Sequence, residues 1–160
     1  MIVNTAAVLT ISDSSFQGKR EDLSGPAVTK LLVSAGFEVK HTAVVPDESI
    51  EIQKKLIECC GHVCLVVTVG GTGLALRDVT PEATLAVVER VVPGIPEKMR
   101  AEGVLKTPMA VLSRGVCGIR GQAMILNLPG SPKAAVDSLH AVINILPHAL
   151  DLLSGKTEHK

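Results

Sequence analysis

With 160 residues, 46% apolar and 20% charged, the chain has the size and composition of one folded domain with a substantial core, which argues against disorder and against a membrane-length apolar run. Sixteen basic residues balance sixteen acidic ones, so there is no net field to draw in nucleic acid or a membrane surface, and any anion must be held locally. Phe16 and Phe37 are the only aromatic residues, too few for the stacking platforms of single-strand nucleic-acid binders.

The opening MIVNTAAVLTISD has no basic segment, and its apolar stretch meets Asp13 too early for a secretory signal, so the cytoplasm is the expected compartment. Within it, residues 3–11 form a β-branched apolar run that reads as a strand buried on both faces. A polar loop follows, then a helix opened by Ser24-Gly25-Pro26, with Val28, Leu31, Leu32 and Ala35 on one face and Gly36 as its stop. Residues 37–45 predict a second strand, Pro46-Asp47 punctuates it, and residues 48–60 repeat Ile52, Leu56 and Cys60 at helical spacing.

The run HVCLVVTV at 62–69 is the most strand-like of all and delivers the chain into Gly70-Gly71-Thr72-Gly73. A helix starts at Thr80-Pro81, Pro93-Gly94 closes that region, and a short helix covers 95–103. Residues 109–113 and 122–128 predict two further strands flanking the basic, glycine-rich SRGVCGIRG. The second leads into Pro129-Gly130-Ser131-Pro132, where Ser131 can cap and Pro132 can start a helix carrying Val136, Leu139, Ile143 and Leu146. Strands alternating with helices predict a single α/β domain over 1–155, with a mostly parallel sheet and helices on both faces, and a frayed tail at 156–160.

Cys59, Cys60, Cys64 and His62 lack the paired spacing of structural zinc sites, so these cysteines and Cys117 are expected to be buried free thiols. In parallel α/β folds ligands gather beyond the carboxyl ends of strands, where the loops at Ser12-Asp13, Pro46-Asp47, Gly70 and Pro129-Gly130-Ser131 all fall. The Gly70 loop is neither a P-loop nor a GxGxxG turn, and by itself it fits a tight turn as well as a cradle of amide N–H groups for an anion, to which Arg77 could add a forked donor. The Gly130 loop leads into a helix amino terminus, a second place suited to an anion, and Lys133 opposes the dipole of that first turn unless an anion binds there. Asp13, Asp47 and Asp78 could face the same crevice and share a Mg²⁺ ion with substrate phosphates, or each could merely cap a turn.

VGGTGLALRDVTPEAT at 69–84 resembles the signature of the molybdenum-cofactor biosynthesis family that includes bacterial MogA and MoaB and a domain of fusion proteins such as gephyrin. ISDSSFQGKREDLSGP at 11–26, VVPDE at 44–48 and LSRGVCGIRGQAMILNLPGSPKAA at 112–135 agree in the same order, so the resemblance spans nearly the whole chain. It implies a three-layer α/β/α fold with a mostly parallel mixed sheet, assembled as a homotrimer or hexamer, and an enzyme that uses ATP and Mg²⁺ to adenylylate molybdopterin, releasing pyrophosphate and giving adenylylated molybdopterin ready for metal insertion by a downstream MoeA-type protein. The alternative it leaves is a MoaB-like protein that binds molybdopterin without transfer, and a more distant one is a trimeric scaffold. By motif, Asp47 and Asp78 would serve as catalytic residues and metal ligands, and Gly70, Gly71, Thr72 and Gly73 would hold nucleotide phosphates. Asp13, Ser113, Arg114, Pro129, Gly130 and Ser131 would line the pterin and nucleotide site. Ser14 stands where many members carry a basic residue, with Lys19 and Arg20 as candidate replacements.

Overall fold

The computed structural model describes residues 3–156. Its elements run β1 (Thr5–Ile11), α1 (Asp13–Phe16), α2 (Ser24–Ser34), β2 (Glu38–Val45), α3 (Ser49–Cys60), β3 (Leu65–Val69) and α4 (Thr80–Val87). They continue with β4 (Arg90–Val91), α5 (Gly94–Gly103), a 3-10 helix (Pro108–Leu112), β5 (Cys117–Arg120), β6 (Ala123–Leu128), α6 (Pro132–Val142) and α7 (Leu146–Leu153). Among the described residues the strands form one six-stranded sheet in the order β2-β1-β3-β6-β5-β4. β2, β1, β3 and β6 are parallel neighbours, while β5 runs antiparallel to β6 and to β4.

The continuous apolar character of the central strands follows from their having two covered faces. Ala6, Val8, Leu65, Val67, Met124 and Leu126 point to one side, where they pack with Val28 and Leu32 of α2, Leu139 of α6 and Leu146 of α7. Ala7, Leu9, Val66 and Ile125 point to the other, against Ile52 and Leu56 of α3 and Ala83 and Val87 of α4. The result is the expected three-layer α/β/α arrangement with a mostly parallel sheet. The edge strands are the exception to double burial: half of the β2 residues and both β4 residues are exposed.

Three expectations are corrected. Residues 109–113 do not form a strand: Thr107 caps Met109 N–H with its side chain at 3.3 Å and Pro108 occupies the first turn, so a 3-10 helix results, with Met109, Val111 and Leu112 exposed. SRGVCGIRG contains the missing strand, β5, which pairs back onto β6 across Gly121-Gln122 with Gly121 at φ +59°. Gly118 in β5 is required because a Cβ there would lie 2.6 Å from Val88 Cγ1, and a strand with glycine in its centre gives no apolar alternation to read. The helix expected to carry Val136 through Leu146 breaks after Val142 and restarts as α7, with Pro147 in its first turn.

The loop after β1 also holds a single turn, α1, capped by the Ser12 hydroxyl accepting from Ser15 N–H. The four cysteines are free thiols; Cys59 and Cys117 are buried, whereas Cys60 and Cys64 are only partly so. Of the tail expected to fray, 157–160 lie outside the described residues, and Lys156 bonds back to the Asp151 carbonyl at 3.0 Å.

Asn127, fully buried in β6, ties the sheet's centre to both the α4 layer and the β5 approach. Its side-chain amide donates to Thr68 and Thr84 hydroxyls, each at 3.0 Å, and its carbonyl oxygen accepts from Val116 N–H at 3.1 Å. Asn127→Ala leaves buried groups unpaired and should cost about 3 kcal/mol in urea unfolding; a loss below about 1 kcal/mol would mean that water satisfies them.

Candidate active site

β1 lies between β2 and β3, so the chain leaves β1 toward one side of the sheet and returns to β3 on the other. That reversal opens a crevice beyond the carboxyl ends of β1 and β3, the place where open α/β sheets bind ligands. Gly70 allows the loops there to close on one another. Gly70 has φ +105°, and a Cβ on it would collide with the Ile11 carbonyl oxygen; a Cβ on Gly130 would lie 3.4 Å from Gly70 Cα. Gly70 N–H donates to the Leu128 carbonyl at 3.0 Å, the Thr80 hydroxyl donates to the Gly70 carbonyl at 3.0 Å, and the Ser24 hydroxyl donates to the Gly130 carbonyl at 2.6 Å. The loops after β3 and β6 and the start of α2 thus form one floor.

In front of that floor, Asp13 and Asp47 exchange hydrogen bonds. Asp13 N–H donates to Asp47 Oδ2 at 2.8 Å, and Asp47 N–H donates to Asp13 Oδ1 at 2.9 Å. Arg77 reaches back from the glycine loop with Nε 2.6 Å from Asp13 Oδ2 and a terminal nitrogen 2.8 Å from Glu48 Oε1. The two aspartates therefore diverge. The hydrogen bond from Arg77 holds the Asp13 carboxyl below its usual range, against a smaller opposing effect of burial. Burial pushes Asp47 up, partly offset by the Asp13 N–H and reinforced by the charges of Asp13 and Asp78.

Asp78 ends the excursion of the glycine loop. Its Oδ2 accepts from Ala75 N–H at 3.1 Å and its N–H donates to the Ala75 carbonyl at 2.9 Å, a self-closed turn. Gly73 makes room for it, since a Cβ there would lie 2.8 Å from Asp78 Oδ2.

Two cavities meet at this point. One, of about 410 Å³, lies over the crevice and is lined by Ser12, Arg20, Asp47, Gly70, Gly71 and Asp78 among others. The second, of about 550 Å³, runs under α5 and the 3-10 helix past Thr72, Gly73, Met99, Ser113, Pro129 and Asp137. Gly71, Asp78, Gly130 and Ser131 line both, so two ligands would meet beside Asp78.

Most of the residues singled out in the sequence therefore come together, but four do not behave as expected. The side chains of Asp13 and Arg114 line neither cavity. Asp13 is taken up by Arg77 and Asp47, and Arg114 bonds to the carbonyls of Gly73 and Asp78. Arg77 faces carboxylates rather than an open anion site, and Lys133 lines neither cavity. Of the two candidates to replace a basic residue after Asp13, Arg20 lines the smaller cavity and Lys19 does not. Sequence reasoning missed Arg100, Lys106 and Asp137, which line the larger cavity; Lys106, in the turn after α5, pairs with Asp137 of α6 at 3.0 Å. Their spacing on the helices carries no signal until α5 is known to cross α6.

Among the described residues no three His, Cys, Asp or Glu side chains converge as a ready-made metal cage. Asp47 and Asp78, however, border the same cleft with hard carboxylate oxygens, and the charge of Asp78 adds to the burial that pushes Asp47 up. That set fits Mg²⁺, which takes one or two protein carboxylates and completes its shell with phosphate and water.

Comparison with known proteins decides the family. The profile of a family described as a probable molybdopterin binding domain matches residues 7–148. The chain belongs to this molybdenum-cofactor family. Within the family it is similar to the molybdopterin adenylyltransferase of Helicobacter pylori J99, 44% identical over 152 residues that cover 92% of this chain and 86% of that one. The molybdopterin adenylyltransferase of Escherichia coli K12 is 41% identical, with 92% and 84% covered. Among solved structures, the molybdopterin biosynthesis enzyme MoaB of Thermus thermophilus is 50% identical and superposes with a TM-score of 0.90 over 95% of this chain and 97% of that one.

The split between the two aspartates has a defined pH signature. Asp13, with its folded pKa lowered, contributes stability that is complete above the unfolded value near 3.8 and is lost as pH falls through the folded value. Asp47, with its folded pKa raised, works in the opposite sense: its contribution is complete below the unfolded value and is lost as pH rises through the folded one. Carboxyl NMR titration should place the midpoint of Asp13 below 3.8 and that of Asp47 above it, and Arg77→Met should raise the midpoint of Asp13. Coincident midpoints would contradict the described pairing.

Proposed function

We propose that the chain is a molybdopterin adenylyltransferase of molybdenum-cofactor biosynthesis. The observation that carries this reading is the junction of the two cavities at Gly71, Asp78, Gly130 and Ser131, which gives room for two substrates and one place for their phosphates to meet. The names of relatives at 44% and 41% identity, matched over 92% of the chain, supply the reaction class.

In the proposed reaction, an oxygen of the terminal phosphate of molybdopterin attacks the α-phosphorus of ATP. A new phosphorus–oxygen bond forms on the side opposite the bridging oxygen, the bond to that oxygen breaks, and its electron pair leaves with pyrophosphate. The chain's work is alignment and field. The contact of Gly70 with Gly130 sets the floor on which phosphates would lie. The loop after Gly70, whose own N–H is given to Leu128, would supply main-chain donors, and the amino end of α6 beyond Ser131 favours negative charge. Asp47 and Asp78 would hold Mg²⁺, which when bound neutralises the phosphate charge that develops in transfer. Asp13 sets the position of Asp47 through their exchanged hydrogen bonds, and Arg20 offers a cation in the smaller cavity.

The same reading includes a cytoplasmic homotrimer or hexamer that hands its product to a MoeA-type metal-insertion protein. Exposed Leu105, Met109 and Val111, close together in the chain between α5 and β5, support self-association. No helix among the described residues is long and apolar enough to cross a membrane.

Incubation with molybdopterin, ATP and Mg²⁺ should release pyrophosphate and yield the adenylylated pterin. Asp78→Asn and Asp47→Asn should each lower the rate by about 100-fold or more while keeping the native circular dichroism spectrum. Full activity in Asp78→Asn would sink the assignment, and pterin binding by the unaltered chain without pyrophosphate release would leave a binding protein in its place.

A further inference from the structure

Arg114 is the residue whose structural behaviour departs furthest from a ligand's. Its backbone N–H donates to the Thr72 carbonyl at 2.9 Å, its Nε to the Gly73 carbonyl at 2.8 Å, and a terminal nitrogen to the Asp78 carbonyl at 2.7 Å. The remaining terminal nitrogen pairs with Glu82 in the first turn of α4. Every nitrogen of the guanidinium thus has a protein acceptor. The Gly73 and Asp78 carbonyls stand at the two ends of the excursion 73–78, so one planar fork closes that excursion at its base.

The excursion needs such a closure because its tip lacks apolar packing and its other side is held by the ion pairs of Arg77 with Asp13 and Glu48. Leu74 is 68% exposed and Leu76 is 99% exposed. Its internal order consists of the Ala75–Asp78 turn, and that turn also takes up Asp78 Oδ2. A base that opens would therefore rotate the Asp78 carboxylate, which sits at the junction of both cavities. Glu82 anchors the fork in turn, on a helix whose Ala83 and Val87 lie in the core.

We infer that Arg114 is a positioning residue for Asp78, oriented by Glu82, and contacts neither substrate. This rests on the transferase reading for its kinetic consequence alone. A ligand role would need a nitrogen facing a cavity, whereas the fork faces carbonyls and a carboxylate. Lysine keeps the charge but can reach one acceptor at a time, so charge and geometry can be separated.

Three measurements on Arg114→Lys test the inference. Amide hydrogen exchange at Ala75 and Asp78 should quicken about 10-fold or more with other segments unchanged, since their hydrogen bonds are local. The dissociation constants for ATP and for molybdopterin, measured separately by calorimetry, should stay within about 3-fold, while kcat should fall between about 10-fold and 100-fold, the cost of a small misplacement near reacting groups. Glu82→Gln should move exchange and kcat in the same direction by a smaller factor, and it carries the test should Arg114→Lys fail to fold. Weakening of either dissociation constant by more than about 10-fold with unchanged exchange would overturn the inference and make Arg114 a ligand. Were the unaltered chain to bind both substrates without transfer, the exchange and binding measurements would still decide between tether and ligand, so the two readings fail separately.

Discussion

The main chain at Gly70 runs so close to the Ile11 carbonyl and to Gly130 that a side chain has no place there, and this close approach brings the ends of β1, β3 and β6 into one surface. The three strands are parallel neighbours, but parallel pairing alone only brings their ends level. Contact between the loops beyond them requires, at Gly70, a residue that tolerates positive φ and offers no Cβ. Once that contact is made, the Thr80 and Ser24 hydroxyls can reach the carbonyls of Gly70 and Gly130 and fix α4 and α2 to the same floor. The junction of the two cavities is a product of this contact.

Charge is arranged on that floor by geometry that keeps like charges close. Asp13 and Asp47 hold each other's backbone N–H, an arrangement that sets two carboxylates side by side. Arg77 pairs with one of them and leaves the other, half-buried and near Asp78, without a cation in direct contact. Arg77 and Arg114 are both committed to protein acceptors, so in the proposed reaction phosphate recognition would fall to the main chain, to Arg20 and, through a metal ion, to Asp47 and Asp78.

Much of the fold was legible because the central strands are apolar on both faces and the helices carry punctuation: Ser131 and Pro132 at the start of α6, Pro81 in the first turn of α4. What escaped was local backbone chemistry. Pro108 and the Thr107 cap turned an apolar run into a 3-10 helix, and β5 hid behind Gly118, whose role is to let Val88 approach. At the site, Asp47 and the glycines could be picked out because they follow strands or precede helices, and Asp78 because it sits just beyond the glycine loop. The targets of Arg77 and Arg114 could not, since a guanidinium selects its acceptors from loops that meet only in three dimensions, up to 64 residues away in the chain for Arg77 and Asp13.

The excursion 73–78 is held by different physics on its two sides. Toward Asp13 and Glu48 the bond is between exposed full charges, Arg77 being 57% exposed; toward α4 it is a fork on main-chain carbonyls. Dissolved ions screen the first kind strongly and the second weakly. Ionic strength therefore acts mainly on the Arg77 flank, the pair with Glu82 being the charged contact behind the fork, and a rise in salt would let the segment swing on the Arg114 side as a gate swings on its hinge.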